Sequence, residues 1–175
     1  MKRLMVIGAA ALLGACGGQD VRMPAAVGNL VKPGTAPWLS VTGGANKLDV
    51  RGLDHKLILE PSPDTSVALQ SQLGARLQSS YFQDLVVTCS ALTAVMRVDQ
   101  DKAPGHVSMD LALHCSVWAR GFDANHDYKA QVSTAAAAAD DQAYAQAVPA
   151  LLSEGADAIA EQLRADLRTI GHAQR

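Results

Sequence analysis

Aromatic residues are scarce: two Trp, three Tyr and two Phe make up 4% of 175 residues. A hydrophobic core must therefore come from Leu, Val and Ala. Charge is sparse as well, at 18% of residues with a formal net charge of −2. No basic stripe is present to follow a phosphate backbone, which excludes nucleic acid as a partner. No apolar run approaches the roughly 20 residues that a membrane-crossing helix needs. No repeat with a period of 20 to 50 residues points to a solenoid. G-x-S-x-G, P-loop and G-x-G-x-x-G motifs are all missing, so no catalytic or cofactor signature is legible. Cysteine is limited to three residues, Cys16, Cys89 and Cys115.

The position of the first cysteine carries information. Lys2 and Arg3 precede an uncharged apolar run over residues 4–13, the layout of a secretory signal peptide. The run breaks at Gly14, and Gly17, Gly18, Gln19 and Asp20 follow, so it does not read as a span. An ordinary leader ends on small residues in an A-x-A arrangement. Leu13-Gly14-Ala15-Cys16 instead resembles the lipobox of bacterial lipoproteins. The resemblance implies removal of residues 1–15 and attachment of diacylglycerol to the Cys16 thiol. One acyl chain holds a protein only marginally, whereas two or more anchor it stably. Gly17, standing where aspartate would favour the inner membrane in enteric bacteria, points by analogy to the outer membrane. Loss of Lys2 and Arg3 with the leader takes the formal net charge from −2 to −4. That sign argues against electrostatic adhesion to anionic bilayers.

The remaining 160 residues suffice for one domain with its own core. Residues 16–36 are rich in Gly, Ala and Pro without period, and predict a lipidated N-terminus followed by a flexible tether. Residues 37–175 then form a single periplasmic domain. Within it, residues 38–42 and 56–60 read as short strands. Ser62 followed by Pro63 looks like an N-cap and a first helical position. Leu69, Leu73 and Leu77 recur every four residues and predict a helix over 63–79, weakened by Gly74. Residues 85–98 are a long β-prone run. Residues 106–119 alternate, with Val107, Met109, Leu111, Leu113, Cys115 and Val117 on one face. GFDANH at 121–126 reads as a turn before a last strand over 127–134. Val148, Leu152, Ile159, Leu163, Leu167 and Ile170 mark an amphipathic helix. Pro149 requires that helix to begin near Val148, or a turn from Asp141 to be kinked there. The expected fold is α+β: one antiparallel sheet of about four strands with two helices on one face, in the order β-α-β-β-β-α.

Leader, tether, LILEPSPDTSVALQSQL, the long strand pair and QAYAQAVPALLSEGADAIAEQL together resemble the YajG-type family of bacterial lipoproteins. That resemblance implies an auxiliary envelope lipoprotein with no known catalytic activity, and only the lipid-accepting Cys16 transfers by position.

The chemistry-bearing residues read blandly. Asp123-x-Asn125-x-Asp127 has the opening spacing of a calcium loop, but Tyr128 stands where glycine is needed and Thr134 where a bidentate glutamate belongs. A hairpin turn is the better reading, and no metal or cofactor is expected. His55, His106, His114, His126 and His172 lack metal-ligand spacing. His114 points to the strand face opposite Cys115 and makes a poor dyad with it. Asp140-Asp141 reads as a helix N-terminal charge pair. Cys89 and Cys115 form the sharper hypothesis. If residues 85–98 and 106–119 make a hairpin with Val98 opposite His106, Cys89 falls opposite Cys115, within disulfide reach. The oxidising compartment implied by the leader permits the bond, and two buried free thiols are the alternative. The expected function is a non-enzymatic lipoprotein of the outer membrane binding an envelope protein or lipid-like partner. An auxiliary subunit of an ABC-type lipid transport system and a lipid-anchored hydrolase are the alternatives.

Overall fold

The computed structural model describes residues 20–34, 36–44, 46–77, 84–101, 105–119 and 121–172, the last three without their side chains. The leader, Cys16 and Gly17 lie outside the described residues. In chain order the elements are β1 (Val21–Ala26), a 3-10 turn (Gly28–Leu30), β2 (Leu39–Val41), β3 (Leu48–Arg51), β4 (Leu57–Ser62) and α1 (Thr65–Arg76). β5 (Val86–Asp99), β6 (His106–Ala119), β7 (Phe122–Ala135) and α2 (Asp141–His172) follow.

The sheet corrects the expected fold class. It has seven strands, ordered β1-β4-β3-β5-β6-β7 with β2 also on β5. It is mixed rather than antiparallel: β1–β4, β2–β5 and β3–β5 pair in parallel, and β3–β4, β5–β6 and β6–β7 antiparallel. Parallel partners are distant in sequence and leave no hairpin signal, so local patterning missed them. β1 occupies residues assigned to the tether. Val21, Met23 and Ala25 turn inward on alternate positions, and Pro24 is admissible because β1 lies at the sheet edge.

β5 and β6 form the backbone of the domain. Near their turn the pairs are Asp99–His106 and Val98–Val107, one residue away from the expected register. A bulge between Ser90 and Thr93, with Ala91 at φ 54°, absorbs the difference, so Cys89 does oppose Cys115. A bulge sets two residues against one, and here it switches the buried positions from Val87 and Cys89 to Leu92, Met96 and Val98. β7 begins at Phe122 rather than 127, because residues 122–126 continue the ladder: Ala119 pairs with Phe122 and Val117 with Ala124. This part of the strand is exposed on both faces, burial beginning only at Tyr128, which is why its residues read as a turn. Gly121, directly before β7, is a turn residue with φ +77°, a conformation glycine adopts without steric cost.

α1 is shorter than 63–79. Ser62 ends β4, and Asp64 is the N-cap position. Its inner face is Ala68, Leu69, Gln72 and Leu73, with Leu77 just beyond. α2 runs unbroken for 32 residues with Pro149 inside, so the helix starts at Asp141, and Asp140 accepts a hydrogen bond from the Ala143 N–H (2.8 Å), an N-cap arrangement. Tyr144, Val148, Leu151, Leu152, Ile159 and Leu163 bury its inner stripe. Gly155 faces β6, where a Cβ would lie 2.2 Å from Leu111 Cδ1, so glycine sets the helix-to-sheet distance. At the C-terminal end of α1, Arg76 donates to Ser153 Oγ (2.9 Å) and to the Asp157 carboxylate, clamping α1 against α2.

Candidate functional site

Three regions carry the side chains that bear on function. The first is the cystine. Cys89 and Cys115 are joined by a disulfide, with Cα atoms 4.0 Å apart, and both are fully buried. Leu85, Val87, Leu111 and Leu113 are buried around the same face. The bond crosslinks β5 to β6 and is inaccessible to a substrate.

The second is the polar face of the β5–β6–β7 ladder. Antiparallel register lines up Ser90, His114 and Asp127 in one row, Thr88, Ser116 and Asn125 in the next, and Val86, Trp118 and Asp123 in the last. His114 Nδ1 lies 2.7 Å from Asp127 Oδ1, and this hydrogen bond holds the Asp127 carboxyl below its ordinary range. The Ser116 hydroxyl donates to Asp123 Oδ1 at 3.2 Å. Asp123, Asn125 and Asp127 thus occupy alternate positions of an extended strand, each about 6.6 Å further on. They do not converge as a calcium loop must. No group of three His, Cys, Asp or Glu side chains among the described residues could hold a metal ion. His55 pairs with Asp141 at 3.0 Å and His126 with Asp166 at 3.7 Å, each tying the sheet or its loops to α2. On the inner side Tyr128 donates to Asp166 Oδ2 (2.7 Å). Burial, then that carboxylate, raises the Tyr128 phenol well above its usual range. Tyr144 is likewise raised by burial and then by Asp140 and Asp141.

The third region was assigned to the tether by composition. Residues 31–34 and 36–37 run alongside the outer side of α1 and enclose a cleft of about 670 Å³. Val31, Pro33, Ala36 and Leu39 form one wall, and Val67, Gly74 and Ala75 the other. The Lys32 N–H donates to Ser71 Oγ (2.8 Å), and the Val41 N–H to Gln70 Oε1 (3.1 Å), fixing the strap to the helix. Gln72, itself buried, donates to the Leu30 carbonyl. Gly74 is needed for this approach, since a Cβ there would lie 3.0 Å from Ala36 Cβ. The only sequence signal for this site was the break in the α1 surface at Gly74; nothing local marks residues 31–37 as folded.

Large apolar side chains exposed among the described residues are Val31, Val67, Val86, Trp118 and Phe122. Val31 and Val67 line the cleft. Val86 and Trp118 are direct cross-strand partners, at the end of the ladder where Leu39 of the cleft pairs with Val87.

No protein-family model matches the chain, and no curated protein matches it. Solved structures do. A Xanthomonas campestris protein of the DUF330 family has a TM-score of 0.44 at 13% identity, with 83% of this chain and 86% of that one covered. A Caulobacter crescentus protein described as a candidate lipoprotein has a TM-score of 0.44 at 14% identity, covering 73% of this chain and 92% of its own. An uncharacterised protein has a TM-score of 0.40 at 9% identity, covering 82% and 90%. None of these likenesses places the chain in a family.

Proposed function

We propose that this chain is a lipoprotein of the outer membrane, of the YajG type, whose periplasmic domain binds an envelope protein or a lipid-like partner and catalyses no reaction. The observation that carries the reading is Leu13-Gly14-Ala15-Cys16 behind a basic start and an apolar run. The buried Cys89–Cys115 bond supports it, because structural disulfides persist in oxidising compartments. The cleft and the exposed apolar side chains beside it support binding, since contiguous apolar surface left in water marks interaction sites.

The anchor also implies an orientation. Four residues lie between Cys16 and Val21, so the two are at most about 18 Å apart along the chain. Val21 hydrogen-bonds the Lys56 carbonyl, and the neighbouring His55 meets Asp141. This end of the domain faces the bilayer, together with Gly105 and Ala136, which hydrogen-bond each other beyond the β5–β6 turn. Trp118 lies at the other end of the 14-residue β6, about 40 Å away, and points into the periplasm.

Membrane fractionation of cells carrying the Cys16→Ser chain tests the reading. The parent chain belongs in the outer-membrane fraction and resists salt and alkaline extraction, while Cys16→Ser loses that attachment. Equal retention of both would contradict an acyl anchor.

A further inference from the structure

We infer that the cleft between residues 31–37 and α1 takes a single acyl chain bearing an anionic head group, with the chain along the α1 wall and the head at Lys32. The inference deepens the binding reading above and rests on it for biological context, though not for its test.

Size is the first argument. About 670 Å³ falls within the roughly 300 to 1,000 Å³ of sites that hold one small molecule. Chemistry is the second. The described lining consists of aliphatic, glycine and proline residues with only Gln70, Ser71 and Lys32 polar. Both short polar groups accept a backbone hydrogen bond, Ser71 Oγ from Lys32 N–H and Gln70 Oε1 from Val41 N–H, and keep only donors to offer an anionic head. Among the described residues no acidic side chain lines the cleft, and Lys32 is the one ionisable group there. Its ammonium makes no direct ion pair among them, although Asp157 of α2 lies within its electrostatic reach. An apolar slot with one cation at its edge matches an amphiphile with one negative head.

Surface exposure is the third argument. Val31 and Val67 stand 40% and 46% exposed on the rim, so two branched apolar side chains face water there. A chain lying over them would remove both from solvent, which is the driving force for such binding. Ala36 packs directly on Gly74, so a chain would lie beside that contact, along Val31, Val67 and Ala75.

The test uses the full chain in nanodiscs of neutral phospholipid, with a photoreactive long-chain fatty acid as probe and mass-spectrometric mapping of labelled residues. Labelling is expected at residues 31–37 and 65–76, and to saturate. Ala75→Trp, which fills the cleft from an exposed position, should abolish that labelling. A circular dichroism spectrum like the parent's and the absence of free thiols at Cys89 and Cys115 would show the variant folded. Free fatty acid and a lysophospholipid with a net negative head distinguish the two sources of such a ligand, and both should outcompete a fatty alcohol of equal length. The preference should be roughly fivefold, the ratio that about 1 kcal/mol of exposed ion pairing supplies. Lys32→Glu should erase it. Labelling spread over the surface, or unchanged in Ala75→Trp, overturns the assignment. Saturable labelling at the cleft with no preference for the anionic head overturns the role of Lys32. Acylation of Cys16 is read separately from the same samples, so failure of the anchor and failure of the cleft are distinguishable.

Discussion

Reducing the Cys89–Cys115 bond should cost a large part of the domain's stability, and the cost follows from the loop it closes. The two residues are 26 apart in sequence. In the chain-entropy account a loop of this length removes freedom from the unfolded state equivalent to about 3.5 kcal/mol. The folded state should change little, because β5 and β6 are held by a continuous ladder on both sides of the cystine. Urea unfolding of the oxidised and the reduced protein, at equal pH and temperature, reads the difference directly. A loss of about 3.5 kcal/mol corresponds to a fall in Tm of about 7 to 14 °C for a domain of this size. The reduced protein should also show a steeper urea dependence, since an unfolded chain without the crosslink exposes more surface. Cys89→Ala with Cys115→Ala should lose somewhat more than reduction alone, because both sulfurs are fully buried and their removal leaves a void. A reduced protein within about 1 kcal/mol of the oxidised one would refute the reasoning: the bond would then constrain nothing that the ladder had not already fixed.

Other perturbations probe other contacts. Deleting Ala91 should leave the Cys89–Cys115 crosslink intact, with no free thiol on titration of the unfolded protein. The deletion removes the extra residue of the bulge, and Leu92 then opposes Leu113 in plain alternation; two titratable thiols would contradict this. Gly155→Ala should destabilise by about 1 to 3 kcal/mol in urea despite the better helix propensity of alanine. The added carbon meets the buried Leu111 side chain at 2.2 Å. Asp157 is held below the ordinary carboxylate range by its hydrogen bonds from Arg76. A lowered folded-state pKa stabilises above the unfolded value and the contribution is lost as pH falls, so acid unfolding below about pH 4 should be delayed in the parent relative to Asp157→Asn. The raised Tyr128 phenol acts at the other extreme. Its contribution is complete below about pH 10 and lost above, so native-state ultraviolet titration should find it un-ionised where the unfolded chain ionises. Tyr128→Phe should cost about 1 kcal/mol at neutral pH.

Legibility in the sequence followed the range of the interactions. β6 was readable residue by residue because a strand with one wet face writes its period into the sequence, and 106–119 is the strand observed. The inner stripe of α2 was readable for the same reason. β1 and the strap at 31–37 were not. Their order comes from parallel pairing with β4 and from hydrogen bonds to α1, contacts made by residues far away in the chain. The expected four-stranded antiparallel sheet failed on this point, since hairpins announce themselves and crossovers do not. The cystine is instructive in a different way. Its partners were identified from a register that was wrong by one residue at the turn, and the bulge at Ala91 made up the difference. A bulge is a response to twist and packing, here beside Gly43, whose added Cβ would lie 3.2 Å from Ala91 N, and no local residue pattern encodes it. The cleft stayed hidden because its two walls belong to segments that composition had placed in different parts of the molecule.

The central claim is that this chain is held to a membrane through Cys16, and intact-mass and N-terminal peptide mass spectrometry of protein purified from the native envelope tests it most directly. The account predicts a first residue of Cys16 carrying a diacylglycerol thioether, with residues 1–15 absent. Protein that retains Met1, or that is cleaved elsewhere and carries a free Cys16 thiol, would contradict it.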